Sequence, residues 1–357
     1  MNYSSDEGTR MRRVKRVLVI DDSAYVRKVV TQMLSRSPFL EVVGTARNGK
    51  DALEKVEQLN PDVITCDLIM PEMDGVEFVR EQMKRRHLPI IIMSIASETA
   101  EMALNALEVG AIDFVQKPTA LATDKILEIA DELISKVKAA ADIPTSRLPA
   151  VEVVKPPPVV QKITPQKGAV DIVVIGISTG GPQALRYVIP QLPADLGVPV
   201  AIVMHMPVGY TEMYANKVNE TAKLDFIEAA EGDEVIPGRV LLAPAGRHLT
   251  FKRTNEGTVV AHLDARPFET LHRPSVDVLF QSAAETYGAR VLGVVMTGMG
   301  SDGREGSSWI KAKGGLIYTE SEETCIVYGM PRAVMEAGLS DRSIALDQMA
   351  QAIWEVL

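Results

Sequence analysis

Short apolar runs alternate with helix-spaced segments twice along this chain, and one proline-rich stretch separates the two series. Strand–helix alternation forces a parallel sheet covered by helices, because each crossover must return the chain to the same starting edge. In the first series the runs Val17–Ile20, Glu41–Ala46, Val63–Cys66, Ile90–Met93 and Asp113–Val115 read as strands. Helical spacing falls at Ser23–Ser35, Gly49–Gln58, Val76–Arg86, Glu98–Val109 and Thr123–Val137. The expectation is a doubly wound α/β unit over residues 14–140. Residues 141–169 carry Pro144, Pro149, Pro156, Pro157, Pro158 and Pro165 with few large apolar side chains, which reads as a semi-rigid linker. Residues 170–357 form a second α/β unit. Its expected strands are Asp171–Ile175, Val200–Met204, Val240–Ala243, Val291–Met296 and Leu316–Thr319. Its expected helices are Pro182–Gln191, Thr211–Glu220, Val276–Tyr287 and Asp347–Val356, with a β-rich insertion over Gly238–Leu263.

Composition narrows the function classes. At 357 residues the chain fits two cores. A net charge of −9 argues against a nucleic-acid duplex as partner. No apolar run approaches the roughly 18 residues of a membrane span. Residues 1–13 are polar, lack the apolar centre of a secretory signal, and read as a disordered arm. The two cysteines, Cys66 and Cys325, fall in different units and make no disulfide framework, which fits a reducing cytoplasm.

In the first unit, chemistry-bearing residues stand at strand ends. Asp21 and Asp22 follow the first strand, Asp67 the third, Ser94 the fourth and Lys117 the fifth. A parallel sheet gathers these ends on one edge. Three carboxylates together repel unless a cation or protons intervene, and an oxygen-only set suits Mg²⁺. Asp67 is then placed to attack phosphorus, with Ser94 and Lys117 holding phosphoryl oxygens. Any one of these aspartates, taken alone, reads more readily as a helix cap, whereas the set, each member at a strand end, reads as a functional site. The motifs Asp21-Asp22-Ser23, Asp67-Leu-Ile-Met-Pro71-Glu-Met-Asp74-Gly75 and Lys117-Pro118 resemble the flavodoxin-like receiver domain of bacterial response regulators. That resemblance implies phosphorylation of Asp67 by a histidine kinase, with Asp21, Asp22 and Asp67 holding Mg²⁺. Phe114 stands where receivers keep a switch aromatic, and a plain core role for it remains open.

In the second unit, Gly176-Ile-Ser178-Thr-Gly180-Gly181 lies between a strand and a helix, so Ser178 sits on a tight, exposed turn. On its own the motif also reads as a relaxed dinucleotide fingerprint. Of the histidines (His87, His205, His248, His262 and His272), only His205 ends an expected parallel strand. Asp302 follows another. A hydroxyl, an imidazole and a carboxylate on one sheet edge make a nucleophile, a base and an orienting acid. Their order, Ser–His–Asp, differs from that of α/β-hydrolases.

The segments Gly176–Pro182, His205-Met-Pro207, His272-Arg-Pro-Ser-Val-Asp277, Thr297-Gly-Met-Gly-Ser-Asp-Gly303 and Tyr328-Gly-Met-Pro-Arg332 resemble the catalytic domain of chemotaxis protein-glutamate methylesterases. The resemblance implies Ser178 as nucleophile, His205 as base, Asp302 as orienter, and the amides of Thr179 and Met299 as an oxyanion hole. It implies methylated chemoreceptors as substrates, glutamine deamidation as a companion activity, and no cofactor for the ester chemistry. The expected protein is a cytoplasmic, phosphorylation-activated esterase that is not membrane-embedded, its receiver covering the catalytic cleft until phosphorylated. Service to a receptor pathway other than chemotaxis is the alternative. A DNA-binding output lacks a helix-turn-helix segment. A nucleotide-dependent oxidoreductase lacks a ribose-binding acid, since Met204-His205 stands at that strand end.

Overall fold

The structure is a computed structural model that describes residues 13–118, 123–144, 147–148, 170–267 and 269–357. Residues 1–12 of the expected arm and residues 145–146 and 149–169 of the expected linker lie outside the described residues.

The first unit runs β1 (Lys15–Ile20), α1 (Ala24–Leu34), β2 (Leu40–Ala46), α2 (Gly49–Leu59), β3 (Val63–Asp67), α3 (Gly75–Arg85), β4 (Ile90–Ser94), α4 (Ala96–Glu108), β5 (Asp113–Gln116) and α5 (Thr123–Ala141). Its sheet has the order β2-β1-β3-β4-β5, every pairing parallel. Strands buried on both faces need continuous apolar sequence, and Val17 to Ile20 and Ile90 to Met93 supply it. Helix starts are fixed by side-chain caps: Asn48 Oδ1 accepts from Asp51 N at 2.9 Å, and Asp74 Oδ1 from Glu77 N at 2.8 Å. The strand order reverses between β1 and β3, which opens a crevice at their C-terminal ends.

The second unit runs β6 (Ile172–Ile177), α6 (Gly181–Val188), β7 (Val200–Met204), α7 (Thr211–Asn219), β8 (Asp225–Glu228), β9 (Arg239–Leu242), β10 (His248–Arg253), β11 (Val259–Asp264) and α8 (Val276–Tyr287). It continues with β12 (Val291–Val295), α9 (Arg304–Ala312), β13 (Leu316–Glu320), α10 (Met330–Glu336), β14 (Arg342–Ile344) and α11 (Leu346–Trp354). Seven parallel strands take the order β14-β13-β12-β6-β7-β9-β8. Here the order reverses between β6 and β12.

Three features differ from the sequence expectation. The insertion is narrower, because β9 pairs with β7 and β8 in the central sheet and only β10–β11 form a separate hairpin. Helix α6 stops at Val188, and a single 3₁₀ turn covers Ile189–Gln191, as befits Pro190, which has no amide to continue the helix. The elements β8, α9, α10 and β14 are additional to those expected.

The two units touch through α4 and β5 on one side and α6, α7 and the β6–α6 turn on the other. One apolar cluster contains Leu104 and Leu107 of α4 together with Leu185 of α6 and Tyr214 of α7. Around it, Glu108 pairs with Arg186 at 2.7 Å and Lys217 at 2.6 Å, and Gln183 Nε2 donates to the carbonyls of Leu107 and Ala111. Among the described residues no helix is long and apolar enough to cross a membrane.

Candidate active site and phosphoacceptor site

The reversal between β6 and β12 gathers the candidate triad. β6 and β7 pair in a register that sets Ile177 against Met204, and His205 N donates to Ile177 O at 3.2 Å. Ser178 and His205 are therefore the next residues on two adjacent strands. Asp302 comes from the loop after β12, on the other flank of β6. His205 Nε2 lies 2.8 Å from Asp302 Oδ2, while buried Nδ1 has no partner among the described residues. The proton therefore sits on Nε2, and Nδ1 keeps its lone pair. This reverses the arrangement of the familiar serine-protease triad, in which Nδ1 faces the acid. No hydrogen bond yet joins Nδ1 to the Ser178 hydroxyl, and such contacts commonly tighten only when substrate arrives.

Asp302 is held by more than His205. Oδ1 accepts from Ser275 Oγ and Asp277 N, both at 2.9 Å, and Oδ2 accepts from Val276 N at 2.8 Å. The two amides are the first of α8, so the candidate orienting acid is also that helix's N-terminal cap. Asp277 in turn accepts from Gly303 N and Gly306 N, at 2.9 and 2.6 Å, and caps α9. The two aspartates cross-cap neighbouring helices. Burial alone would push the Asp302 carboxyl up, but His205 and the α8 amides hold it well below the usual carboxylate range. Burial and the nearby charge of Asp302 push Asp277 up instead.

The Ser178 turn is built from close approaches. Gly180 has φ +81°, and a side chain on Gly298 would meet Ser178 Cβ at 2.8 Å. Thr297 ties the turn to the β12 loop: its carbonyl accepts from Ser178 N at 3.0 Å, and its hydroxyl donates to Thr179 O at 2.9 Å. The amides of Thr179 and Met299 engage no acceptor among the described residues, which leaves both able to receive an oxyanion.

Sequence reasoning passed over two residues here. His272 stacks on His205 with ring centroids 3.9 Å apart, and burial with the adjacent imidazole lowers its pKa to about 4. Its place in His272-Arg-Pro-Ser-Val-Asp277 was the available signal. Glu320, at the end of β13, is wholly buried and accepts from Thr297 N at 2.9 Å and from Thr324 Oγ1 at 3.1 Å. Burial raises its pKa from 4.5 to about 7. The folded state thus binds this proton more tightly than the unfolded chain between those values, so the contribution to stability falls as pH rises through that window. Glu320→Gln removes the ionisation. Relative to the wild type it is expected to gain up to about 3 kcal/mol at about pH 8 and little at about pH 4, read as urea midpoints.

The first unit's crevice holds the acidic set. Ligand oxygens of Asp21, Asp22 and Asp67 all lie within 4.8 Å of one another. Lys117 Nζ stands 2.9 Å from Asp21 Oδ2 and 2.8 Å from Asp67 Oδ2, yet among the described residues neither oxygen receives a well-aligned hydrogen bond. Burial pushes both carboxyls up against the pull of Lys117. Oxygen-only donors with two under-satisfied carboxylate oxygens fit a hard divalent cation. Ser94 lies at the end of β4, where its hydroxyl accepts from Tyr210 Oη of the second unit at 2.8 Å and contacts Thr99 Oγ1 at 2.5 Å. Phe114 packs against the same Tyr210, the ring centroids 4.5 Å apart and the planes tilted by 37°. Beside it, Asp113 Oδ2 accepts from Thr179 Oγ1 at 2.6 Å, while buried Lys136 holds Oδ1 at 3.1 Å. The first unit thus touches the residue that follows Ser178.

Comparison with known proteins agrees with this geometry. Residues 17–130 match the response regulator receiver domain, and residues 173–353 match the CheB methylesterase family. A protein-glutamate methylesterase/protein-glutamine glutaminase of Myxococcus xanthus is 48% identical over 339 residues, spanning 94% of this chain and 95% of that protein. Its counterpart in Bacillus subtilis is 40% identical over 347 residues, spanning 95% and 97%. The crystal structure of the Thermotoga maritima CheB methylesterase catalytic domain is 39% identical, with a TM-score of 0.52. It covers 53% of this chain and 100% of that one. With both halves matched and relatives similar along nearly the whole length, this chain belongs to the CheB methylesterase family, a receiver domain preceding its esterase domain.

Proposed function

We propose that the chain is a phosphorylation-activated serine esterase that hydrolyses glutamate methyl esters on chemoreceptors, and so resets receptor signalling in chemotaxis. The observation that carries this reading is the His205 imidazole, bonded to Asp302 through Nε2 and open at Nδ1 on the strand next to Ser178. Ser178 Oγ attacks the ester carbonyl as His205 Nδ1 takes its proton. Asp302 stabilises the resulting imidazolium, and the amides of Thr179 and Met299 receive the oxyanion, typically the largest single contribution. His205 returns the proton to departing methanol. Water, deprotonated by the same nitrogen, then releases the glutamate carboxylate. With a glutamine side chain the departing group is ammonia. The decisive experiment is methanol release from a methyl-esterified chemoreceptor, with and without an acyl phosphate, alongside labelling by a fluorophosphonate. Release that follows phosphorylation and a label on Ser178 support the reading. Absence of release, or a label elsewhere, overturns it.

In the receiver, Asp67 is the proposed phosphate acceptor from a histidine kinase, with Ser94 and Lys117 as ligands for the phosphoryl oxygens. Asp21, Asp22 and Asp67 would hold Mg²⁺, which supplies charge neutralisation for the incoming phosphoryl group. The proposed location is the cytoplasm. The domain contact gives regulation a physical handle. In the docked arrangement Ser94 Oγ accepts from Tyr210 and gives its own proton to Thr99 Oγ1, whose proton goes to Ile95 O; holding a phosphoryl oxygen redirects that proton, so phosphorylation and docking act on one hydroxyl. Tyr210→Phe keeps the contact with Phe114 and deletes the bond to Ser94. A hydrogen bond worth about 1 kcal/mol corresponds to about a fivefold rise in unphosphorylated turnover, measured as methanol release. An unchanged basal rate would count against docking as the brake.

A further inference from the structure

Glu320 is a fully buried carboxyl that the proposed chemistry does not use. Its neighbours explain what it holds. Oε2 accepts from Thr297 N at 2.9 Å, and Oε1 accepts from Thr324 Oγ1 at 3.1 Å. Thr324 Oγ1 itself accepts from Leu346 N at 3.0 Å, so its proton is directed at Glu320. Thr297 is the residue through which the β12 loop grips the nucleophile turn: Ser178 N donates to its carbonyl, and its hydroxyl donates to Thr179 O while accepting from Val327 N at 3.0 Å. The chain of contacts therefore runs from Glu320 through the Thr297 amide to both residues of the turn.

We propose that Glu320 is a positioning residue for the Ser178 turn, acting through the amide of Thr297, and that the charge on its carboxyl tunes turnover. The inference rests on Ser178 being the nucleophile.

Both carboxyl oxygens act as acceptors, the pattern of an ionised carboxylate. A charge-assisted bond to the Thr297 amide is shorter and stronger than a neutral one. When protonated, Glu320 must turn Oε1 into a donor toward Thr324 and offers the amide only a neutral acceptor. Among the described residues no lysine, arginine or histidine acts on this carboxyl. Besides the Thr297 amide and the Thr324 hydroxyl, the Cys325 thiol is the one other group among the described residues that acts on it, and burial pushes that thiol far up, so it stays neutral. Arg147 and Glu322 act on Cys325 rather than on Glu320. The carboxyl therefore changes charge near neutrality, at about pH 7, for want of any cation to hold it ionised.

The test uses the full chain, treated with an acyl phosphate, and methanol release from methyl-esterified receptor. Glu320→Ala strands the Thr297 amide, and kcat is expected to fall about tenfold with KM within about twofold. Glu320→Gln restores an acceptor but never ionises. It should match the wild type at about pH 6, and the ratio of wild-type to variant kcat should rise about threefold by about pH 8. That ratio cancels every pH dependence that both proteins share. A ratio flat with pH, or an alanine variant with wild-type kcat, overturns the proposal. Should the alanine variant fail to fold, the glutamine ratio alone decides. Ser178→Ala is run in parallel. If it retains activity, the nucleophile assignment has failed whatever the Glu320 variants do.

Discussion

Ser178→Ala is expected to lower methyl-ester turnover by about 10⁴-fold or more, with no change in folding. The size follows from what is lost. Without the hydroxyl there is no acyl-enzyme, and water must attack the ester directly from a site shaped for another nucleophile. What remains is binding and the Thr179 and Met299 amides. Folding should be untouched because the turn is held by its backbone: Ser178 N donates to Thr297 O and Gly181 N donates to Ser178 O. The side chain takes no part in these bonds. Methanol release and a urea midpoint, measured on the same preparation, separate the two quantities. A variant that keeps even a tenth of the activity would remove Ser178 from the mechanism.

Asp302→Asn is expected to cost about 10³- to 10⁴-fold in kcat and, unlike the serine change, about 1–3 kcal/mol of stability. Oδ2 faces two donors, His205 Nε2 and Val276 N, while Oδ1 faces Ser275 Oγ and Asp277 N. Whichever way the amide turns, its NH₂ meets a backbone N–H. Toward His205, an amide donor favours the other tautomer, with the proton on Nδ1, which blocks the atom that must accept from Ser178. The first turn of α8 loses a charged cap at the same time. A variant with reduced turnover but an unaltered urea midpoint would show that the α8 amides do not depend on this carboxylate.

Much of this was legible in the sequence because parallel sheets write themselves plainly. Continuous apolar runs such as Val17–Ile20 and Val200–Met204 mark strands buried on both faces, and polar residues just past their ends mark a shared edge. That rule singles out Asp67 and His205 as candidates, and the glycine-flanked turn after the first strand of the second unit adds Ser178. The short elements were harder. α9 starts at Arg304 among glycines and serines, and α10 begins at Met330 before a proline, so neither carries much helical periodicity. Their stability comes from caps and packing supplied by distant residues, as with Asp277 at the start of α9. β8 and β14 are four and three residues long, too short to show a period. Glu320 and His272 were hidden for a related reason. A carboxyl at the end of a buried strand looks like any surface glutamate until the strand order is known. A histidine in a loop gives no hint of the ring it covers. The contacts of Tyr210 and Asp113 across the domain boundary lie beyond any pattern within one segment.

The cross-capping by Asp302 and Asp277 has an evolutionary corollary. An acid that fastens a helix end is retained by selection for folding alone, long after selection for chemistry has lapsed. A duplicated copy drifting toward a purely signalling role would shed the serine first, since nothing else leans on its hydroxyl, and would keep the aspartate. In such descendants the carboxylate is a fossil of architecture, and only the hydroxyl tells a living enzyme from a silent one.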